Sequence, residues 1–224
     1  MNHPEDHRTR VAAERRERMR EHLLHSALAL MARMGPEAVQ IDDIVRAAEV
    51  ARGTFYKYYA SPAALVRDLA LRLSEEVILS VNAVTRQHGD PALRAALGMR
   101  AVLGLVAACP MLGGFITRAG WPVSDPSHAF FRIVGPNLAE GMALGRFAQR
   151  PQVLAEVLMS GLAVGAMHAI VTGQTGDGFD REVAEMLLLG LGLKEAEARA
   201  LAGTDLVLPR PENGTFLARA MGQV

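Results

Sequence analysis

The chain has little of the chemistry on which secreted and β-rich proteins depend. Only 1 of its 224 residues is cysteine, so an internal disulfide is excluded, and Cys109 fits a reducing cytosol. Aromatic residues make up 5% of the chain and β-branched runs are scarce, whereas Leu, Ala, Met and Arg are frequent. This composition favours an all-α fold.

An excess of charge of either sign is also absent. Lys plus Arg and Asp plus Glu number 24 each, which gives a formal net charge of zero at pH 7. The protein is therefore not a polycation that coats nucleic acid indiscriminately. Any DNA binding has to come from a local basic patch.

Targeting and membrane segments are not apparent. The N-terminal residues MNHPEDHRTR are charged and polar and contain no apolar core of a signal peptide. The most apolar stretch, 157–171, is shorter than the roughly 18–20 residues that a membrane-spanning helix needs. We therefore expect a soluble cytoplasmic protein with no membrane partner.

Motifs for catalysis or metal binding are missing as well. The 7 histidines are scattered and form neither an HExxH motif nor a Cys/His ligand spacing. The chain has no GxSxG sequence and no Walker-type glycine loop. We therefore expect no enzymatic activity, no cofactor and no metal site.

The segment 40–65 instead predicts two short helices separated by a tight turn, followed by the start of a third helix. Apolar residues recur at i, i+3, i+4 and i+7 in the first of them, at Ile41, Ile44, Val45 and Ala48. In the second, Phe55 points inward, and the opposite face carries Arg52, Gly53, Tyr56 and Lys57. A helix in the DNA major groove needs donors for phosphates and base edges, together with a glycine for close approach. The pattern predicts a helix-turn-helix.

The same segment resembles the DNA-binding segment of the TetR/AcrR transcriptional regulators. The positions that match their shared pattern are Ile44, Ala48, Val50, Gly53, Thr54, Tyr56, Tyr58, Ser61 and Leu65. With the polar face, the resemblance implies contact with double-stranded DNA. The candidate DNA-binding residues are Gln40, Arg52, Gly53, Thr54, Tyr56, Lys57, Tyr58 and Ser61.

Four positions depart from the family pattern. Gln40 replaces a helix-starting Thr, and Pro62 replaces a Lys, which shifts phosphate contact to the backbone at Ser61. Glu49 replaces the turn glycine, where a positive φ is expected. Ala51 replaces a capping Ser, which removes a side-chain cap worth roughly 1 kcal/mol.

A basic segment precedes the helix-turn-helix. Six arginines and two glutamates lie between positions 8 and 20. Two interpretations are open for this segment. It is either a solvated helix face with i,i+4 ion pairs or an arm that contacts DNA phosphates or the minor groove. We expect residues 1–12 to form a loose arm.

The remainder of the chain predicts a series of helices with turn signals between them. The expected helices span 62–87, 92–108, 111–119, 127–144, 151–172, 180–193 and 194–202. The tail after 206 is expected to be poorly ordered except at 216–221. We predict a basic arm at 1–13, a helix-turn-helix domain at 14–74, a helical ligand-binding and dimerisation domain at 75–208 and a tail at 209–224.

Two long segments near the C-terminus are apolar nearly all round. Gly161, Gly165 and Ala169 lie four residues apart, which lets helix backbones approach closely. Close packing inside one subunit explains this spacing as well as dimerisation does. The resemblance implies a homodimer through a four-helix interface formed by 151–172 and 180–193.

The middle segment, 99–147, concentrates methionine and aromatic residues. Such residues form small-molecule pockets and ordinary helical cores alike. The resemblance favours a pocket for a small-molecule effector in this region. The candidate ligand-binding residues are Met99, Phe115, Arg118, Trp121, Phe131, Met142 and His168.

Together, these features predict a homodimeric transcriptional repressor that binds a palindromic operator and is released by a small apolar or amphipathic effector. The alternative is a helical small-molecule-binding protein whose DNA binding is weak or lost.

Overall fold

The computed structural model describes residues 4–34, 38–119 and 128–222 of the chain. All regular structure within these ranges is helical, which confirms the all-α prediction. Eleven α-helices are described: α1 Pro4–Met34, α2 Ile41–Ala47, α3 Arg52–Tyr56, α4 Pro62–Thr85, α5 Pro91–Ala108, α6 Pro110–Ala119, α7 Gly135–Ala143, α8 Gln152–Val171, α9 Phe179–Gly190, α10 Glu195–Ala202 and α11 Phe216–Ala220. A π-helical turn, Phe130–Val134, precedes α7.

The chain divides into two compact units, Met1–Leu69 and Ala70–Val224. Their boundary falls inside α4. The predicted domain boundaries after residues 13, 74 and 208 stay a prediction. They separate regions of different function, and the compactness of the two units does not test function.

The first unit is a small helical head. Its fully buried side chains come from α1, α2, α3 and the start of α4, and include Leu23, Leu24, Leu28, Ile44, Phe55 and Leu65. The His22 Nε2 atom lies 2.9 Å from the Ala48 carbonyl oxygen, which joins α1 to the end of α2.

Asp68, on α4, is hydrogen-bonded to α1 and to the segment between α3 and α4. Its Oδ2 atom accepts hydrogen bonds from Arg20 and from the Tyr59 hydroxyl, both at 2.7 Å. Burial, followed by the hydrogen bond with Asp68, raises the pKa of the Tyr59 phenol. The phenol therefore remains a hydrogen-bond donor throughout the physiological pH range.

The expectation of a loose arm at residues 1–12 is wrong for its described part, because α1 begins at Pro4. Alanine, arginine and glutamate are strong helix formers. The i,i+4 pair Arg10–Glu14, at 3.8 Å, adds local support. Residues 9–16 are nevertheless exposed on every side.

The second unit is built around α5, which is buried along most of its length and packs against α7, α8, α9 and α10. Asp90 caps its N-terminus, where Oδ1 accepts from the Ala92 N–H at 2.9 Å. The same carboxylate pairs with Arg146 at 2.8 Å. The Arg146 hydrogen bond is the main reason that the pKa of Asp90 is lowered.

One predicted helix is interrupted. In place of a continuous helix over 127–144, the chain forms the π-helical turn Phe130–Val134 and then α7. Pro136 lies in the first turn of α7 and has no N–H to donate to the preceding turn, which accounts for the change in hydrogen bonding.

The tail after 206 is expected to lack order except at 216–221, and α11 (Phe216–Ala220) lies within that exception. Phe216, Leu217 and Ala218 of α11 are buried. The Glu76 carboxylate on α4 accepts hydrogen bonds from the backbone N–H groups of Phe216 and Leu217, at 3.2 and 2.7 Å. Burial is the main reason that the pKa of Glu76 is raised.

Within the described ranges, two helices are long and apolar enough to cross a membrane by length and composition alone, which corrects the expectation drawn from segment length. They are α5, in which 61% of the apolar window is buried in the fold, and α8, in which only 33% is buried. The burial of α5 identifies it as a core helix. The exposed apolar surface of α8 needs a separate explanation.

Candidate nucleic-acid interface and ligand cavity

The helix-turn-helix is formed by α2, a tight turn and α3. Gln40 is exposed at the start of α2, and its N–H donates to the Asp43 carboxylate at 3.1 Å. In the turn, Glu49 has φ of +52°, the left-handed conformation expected where the family pattern has glycine. The side chain of Ala51 makes no capping bond at the start of α3. The positive φ at Glu49 and the missing side-chain cap at Ala51, both expected from the sequence, are therefore present.

The short helix α3 is anchored from one side. Phe55 is fully buried and contacts the rings of Tyr56 and Tyr59. The face away from this anchor exposes Arg52, Gly53, Tyr56 and Lys57, whereas Thr54 and Tyr58 are half-buried. A Cβ atom added at Gly53 would meet nothing within 4 Å, so internal packing does not require glycine there. These residues have the predicted orientation, and their contact with DNA stays a prediction.

An ion pair crosses the exposed face. The Arg52 Nη1 atom lies 3.1 Å from Oδ1 of Asp42, in the first turn of α2. Interaction with the Tyr56 phenol first, and with the Asp42 carboxylate second, raises the pKa of the Arg52 guanidinium. Arg52 is therefore fully charged, and its position is coupled to α2.

Ser61 begins α4 as the sequence predicts. Its hydroxyl accepts a hydrogen bond from the Ala64 N–H at 3.2 Å, and its carbonyl accepts from the Leu65 N–H. The proline at position 62 has no N–H, so only the remaining first-turn amides are available to a phosphate.

A cavity of about 420 Å³ lies inside the Ala70–Val224 unit. It is bounded by α4, α5, α6, the π-helical turn, α7 and α8, and its walls are mostly apolar. Representative wall residues are Val77, Val81, Met99, Val102, Ile133 and Met167. This volume falls within the range of small-molecule sites.

Arg132 and two groups of polar residues line the cavity. One is the buried pair Ser74 and His128, whose Oγ and Nε2 atoms are 2.9 Å apart. The other group, toward the C-terminal end of α4, comprises Asn82, Thr85, Arg86, Arg94, Asn137 and Glu140. Within it, Arg94 pairs with Glu140 and donates to Asn137 Oδ1 at 2.6 Å.

The structure separates the predicted ligand-binding residues. Met99 lines the cavity. Phe115 is buried in the core and does not line the cavity. Phe130, and not its neighbour Phe131, lies in the cavity wall. Met142 borders a second, smaller cavity. His168 is exposed near the end of α8. The Arg118 side chain and Trp121 lie outside the described residues.

Ser74 and His128 were not predicted as ligand-binding residues. Ser74 follows Leu65, Leu69 and Leu73 on α4 and precedes Val77, so a single polar residue adjoins an apolar stripe. This serine beside the stripe is the only local sequence feature that indicates a polar residue in the cavity wall. Its partner is 54 positions away.

The outer faces of α8 and α9 expose apolar side chains, among them Val153, Leu154, Val157, Met186 and Leu189. Gly161 and Gly165 are also exposed, and a Cβ added at either would meet nothing within 4 Å. Gly190 differs, because an added Cβ would lie 2.7 Å from the Leu158 side chain. Close packing within the subunit therefore explains Gly190 and leaves Gly161 and Gly165 unexplained.

Two family models match separate segments of this chain. A model described as bacterial regulatory proteins of the tetR family matches residues 23–69. A second model, described as the tetracyclin repressor-like C-terminal domain, matches residues 90–203.

Among solved structures, the complex of RolR with its ligand resorcinol is similar. It has a TM-score of 0.71 and 28% identity, over 88% of this chain and 100% of that one. RolR without ligand gives a TM-score of 0.69 and 29% identity, over 82% and 96%. FadR of Bacillus subtilis, in complex with stearoyl-CoA, shares the fold alone, with a TM-score of 0.56 and 17% identity over 77% and 97%.

A curated relative is the predicted mycofactocin biosynthesis transcriptional regulator MftR of Mycobacterium tuberculosis (strain ATCC 25618 / H37Rv). It is 39% identical over 92 residues, which are 41% of this chain and 46% of that protein. The match thus spans about half the length of this relative.

Proposed function

Since this chain belongs to the TetR family of bacterial regulatory proteins, we propose that it is a homodimeric repressor that binds a palindromic operator and is released by a small effector. The observation that carries the proposal is the orientation of α3. A buried Phe55 holds this five-residue helix so that its other face presents a guanidinium, an ammonium and a phenol to solvent.

In this proposal α3 enters the major groove. Arg52 and Tyr56 contact base edges, and Gly53 lets the helix approach closely. The residues that position the phosphate backbone are Gln40, Thr54, Lys57, Tyr58 and Ser61, with the N-terminus of α4.

The exposed apolar faces of α8 and α9 are the proposed dimer interface, over the segments 151–172 and 180–193. Only a third of the apolar window of α8 is buried within one subunit. A second copy would cover the rest, and Gly161 and Gly165 would let the two α8 backbones approach. A two-fold dimer also matches the symmetry of a palindromic operator.

The cavity of the Ala70–Val224 unit is the proposed effector site. The similar protein RolR has resorcinol, a small amphipathic molecule, as its ligand. We propose that an effector of comparable character enters this cavity. It opposes operator binding through α4, which begins in the head and contributes cavity residues. Effector and operator must then weaken each other reciprocally.

Retardation of genomic DNA fragments at low salt tests the DNA-binding role. Wild-type protein should protect a short near-palindrome, and Arg52→Ala and Tyr56→Ala should each lose on the order of 1–3 kcal/mol of binding free energy. Arg210→Ala, an exposed arginine in the C-terminal segment, is the matched control and should bind as wild type.

Absence of retardation for every fragment would favour the alternative, a helical small-molecule-binding protein without DNA affinity. The related proteins are transcriptional regulators, and among the described residues no cluster of His, Cys, Asp or Glu suits a metal ion. Because the related proteins are transcriptional regulators, we propose no enzymatic activity and a site of action with the chromosome, in the cytoplasm.

A further inference from the structure

The buried polar pair in the cavity has a defined hydrogen-bond direction. His128 Nδ1 accepts from the backbone N–H of Phe130 at 3.2 Å, so this nitrogen carries no proton. The proton of the ring is therefore on Nε2, which donates to Ser74 Oγ at 2.9 Å. The Ser74 hydroxyl in turn donates to the Leu71 carbonyl oxygen at 2.8 Å.

These hydrogen bonds leave one acceptor position of the Ser74 hydroxyl unused. A serine hydroxyl has one proton and two acceptor lone pairs. The proton is used by Leu71 and one lone pair by His128, so the remaining lone pair is available in the cavity. Ser74 and His128 are 9% and 5% exposed, which shields this acceptor from bulk water.

The charged residues near this end of the cavity compensate each other. Arg132 lines the cavity and pairs with Glu75 at 2.6 Å, and Val77 and Phe130 form the adjoining wall. The other polar group of the cavity is distant, since Ser74 and Thr85 are 11 residues or about 16 Å apart along α4. An anionic group of a ligand placed beside Ser74 would therefore be desolvated and would have to compete with Glu75 for Arg132.

We propose that the Ser74–His128 pair recognises a hydroxyl group, so that the cavity takes a neutral, mainly apolar ligand carrying an O–H donor, such as a phenol or an alcohol. The volume of the cavity limits the size of this ligand. An engineered cavity of about 150 Å³ holds benzene. The 420 Å³ here accommodates a molecule of roughly two rings. This inference rests on the proposed effector role of the cavity and names the class of ligand.

Three matched probes distinguish the chemistry: 2-naphthol, 2-methoxynaphthalene and naphthalene-2-carboxylate. Their binding to the full-length protein is measured by calorimetry in the absence of DNA. The methoxy compound has nearly the same shape but no donor, so it should bind about five- to tenfold more weakly than 2-naphthol. The carboxylate should bind at least about tenfold more weakly, because it is desolvated beside Ser74 and Arg132 is already paired with Glu75.

Variants of the pair test the assignment directly. In Ser74→Ala the His128 Nε2–H loses its acceptor and can donate to either oxygen, so the preference for 2-naphthol should fall to within about twofold. Ser74→Thr keeps the hydroxyl and should restore the preference. Val77→Ala, one turn along the same wall, should weaken both neutral probes in parallel. Thermal unfolding of each variant verifies that it is folded.

Three results with the wild-type protein would overturn the proposal. They are no binding of 2-naphthol at about 1 mM, equal affinity of the wild type for 2-naphthol and its methyl ether, and tightest binding of the carboxylate. A preference that survives Ser74→Ala would also overturn it. Selective binding of 2-naphthol that leaves operator affinity unchanged would instead contradict only the proposed release of the repressor by ligand.

Discussion

Arg52 on α3 is joined to Asp42 on α2 by an ion pair of 3.1 Å, within the surface proposed to face DNA. Both side chains are exposed, so the pair contributes little to stability. In the proposed complex with DNA, Asp42 competes with the operator for the guanidinium and adds a negative charge close to the phosphates.

Removal of the Asp42 charge should strengthen DNA binding. We expect Asp42→Asn to raise operator affinity about threefold or more at low salt, because a repulsive charge is lost and Arg52 is released. Asp43→Asn is the matched control, since it removes an equal charge without touching Arg52, and its gain should be smaller. Lower affinity of Asp42→Asn in anisotropy titrations would instead show that Asp42 positions Arg52 for a base.

The turn at Glu49 should carry conformational strain. A residue with a Cβ atom pays roughly 1 kcal/mol in the left-handed region, and glycine does not. Glu49→Gly should therefore raise the free energy of unfolding by about 0.5–1 kcal/mol, whereas Glu49→Ala should give no gain. Urea unfolding measures both, and a Glu49→Gly protein no more stable than wild type would refute the assignment of strain.

The exposed arginines of α1 should contribute to DNA affinity without affecting sequence preference. Arg15 and Arg18 lie three residues apart on one face of the helix, and Arg16 is beside them. Replacement of all three by alanine should reduce the slope of log affinity against log salt by about 2–3. An unchanged slope would mean that this segment is a solvated helix face.

The proposed dimer interface should be sensitive to one charge. Val157 on α8 is 60% exposed in the single chain, and Val157→Glu would bury unpaired carboxylates between two copies. We expect sedimentation to show a monomer, with operator affinity lowered on the order of 100-fold. Val207→Glu is the control, because Val207 is 84% exposed in the C-terminal segment. A Val157→Glu protein that remains dimeric would place the interface elsewhere.

Asp90 should make stability depend on pH in acid. Its pKa is lowered in the folded protein, so its contribution is complete above the unfolded pKa of about 4 and is lost as the pH falls through the folded value. Asp90→Asn keeps the capping oxygen and removes the charge. We expect it to be less stable than wild type by roughly 0.5–1 kcal/mol at neutral pH, with a smaller difference below about pH 4. A difference that does not change with pH would exclude this linkage.

Local patterns were sufficient to predict the helix-turn-helix. The apolar spacing of α2 and the burial of Phe55 beside an exposed Tyr56 follow from a period of 3.6 residues. The positive φ at Glu49 followed from the residue that the family pattern has there. These features depend on neighbours within a few positions.

The cavity and the C-terminal segment could not be predicted in this way. Ser74 meets His128 across 54 positions, and Glu76 meets Leu217 across 141. Long-range contacts of this kind leave no periodic pattern in the sequence. The sequence therefore indicated order in the tail only at 216–221, without its contact to Glu76, and a pocket built from the most prominent aromatic residues.

The central claim is that two copies of the head bind one operator together, and altered operator spacing tests it most directly. Once footprinting has located the near-palindrome, an insertion of about 5 base pairs at its centre turns one half-site by half a helical turn. The account predicts that this insertion lowers affinity on the order of 100-fold or more, to the level of non-specific DNA. Equal affinity for the original and the lengthened operator would contradict it.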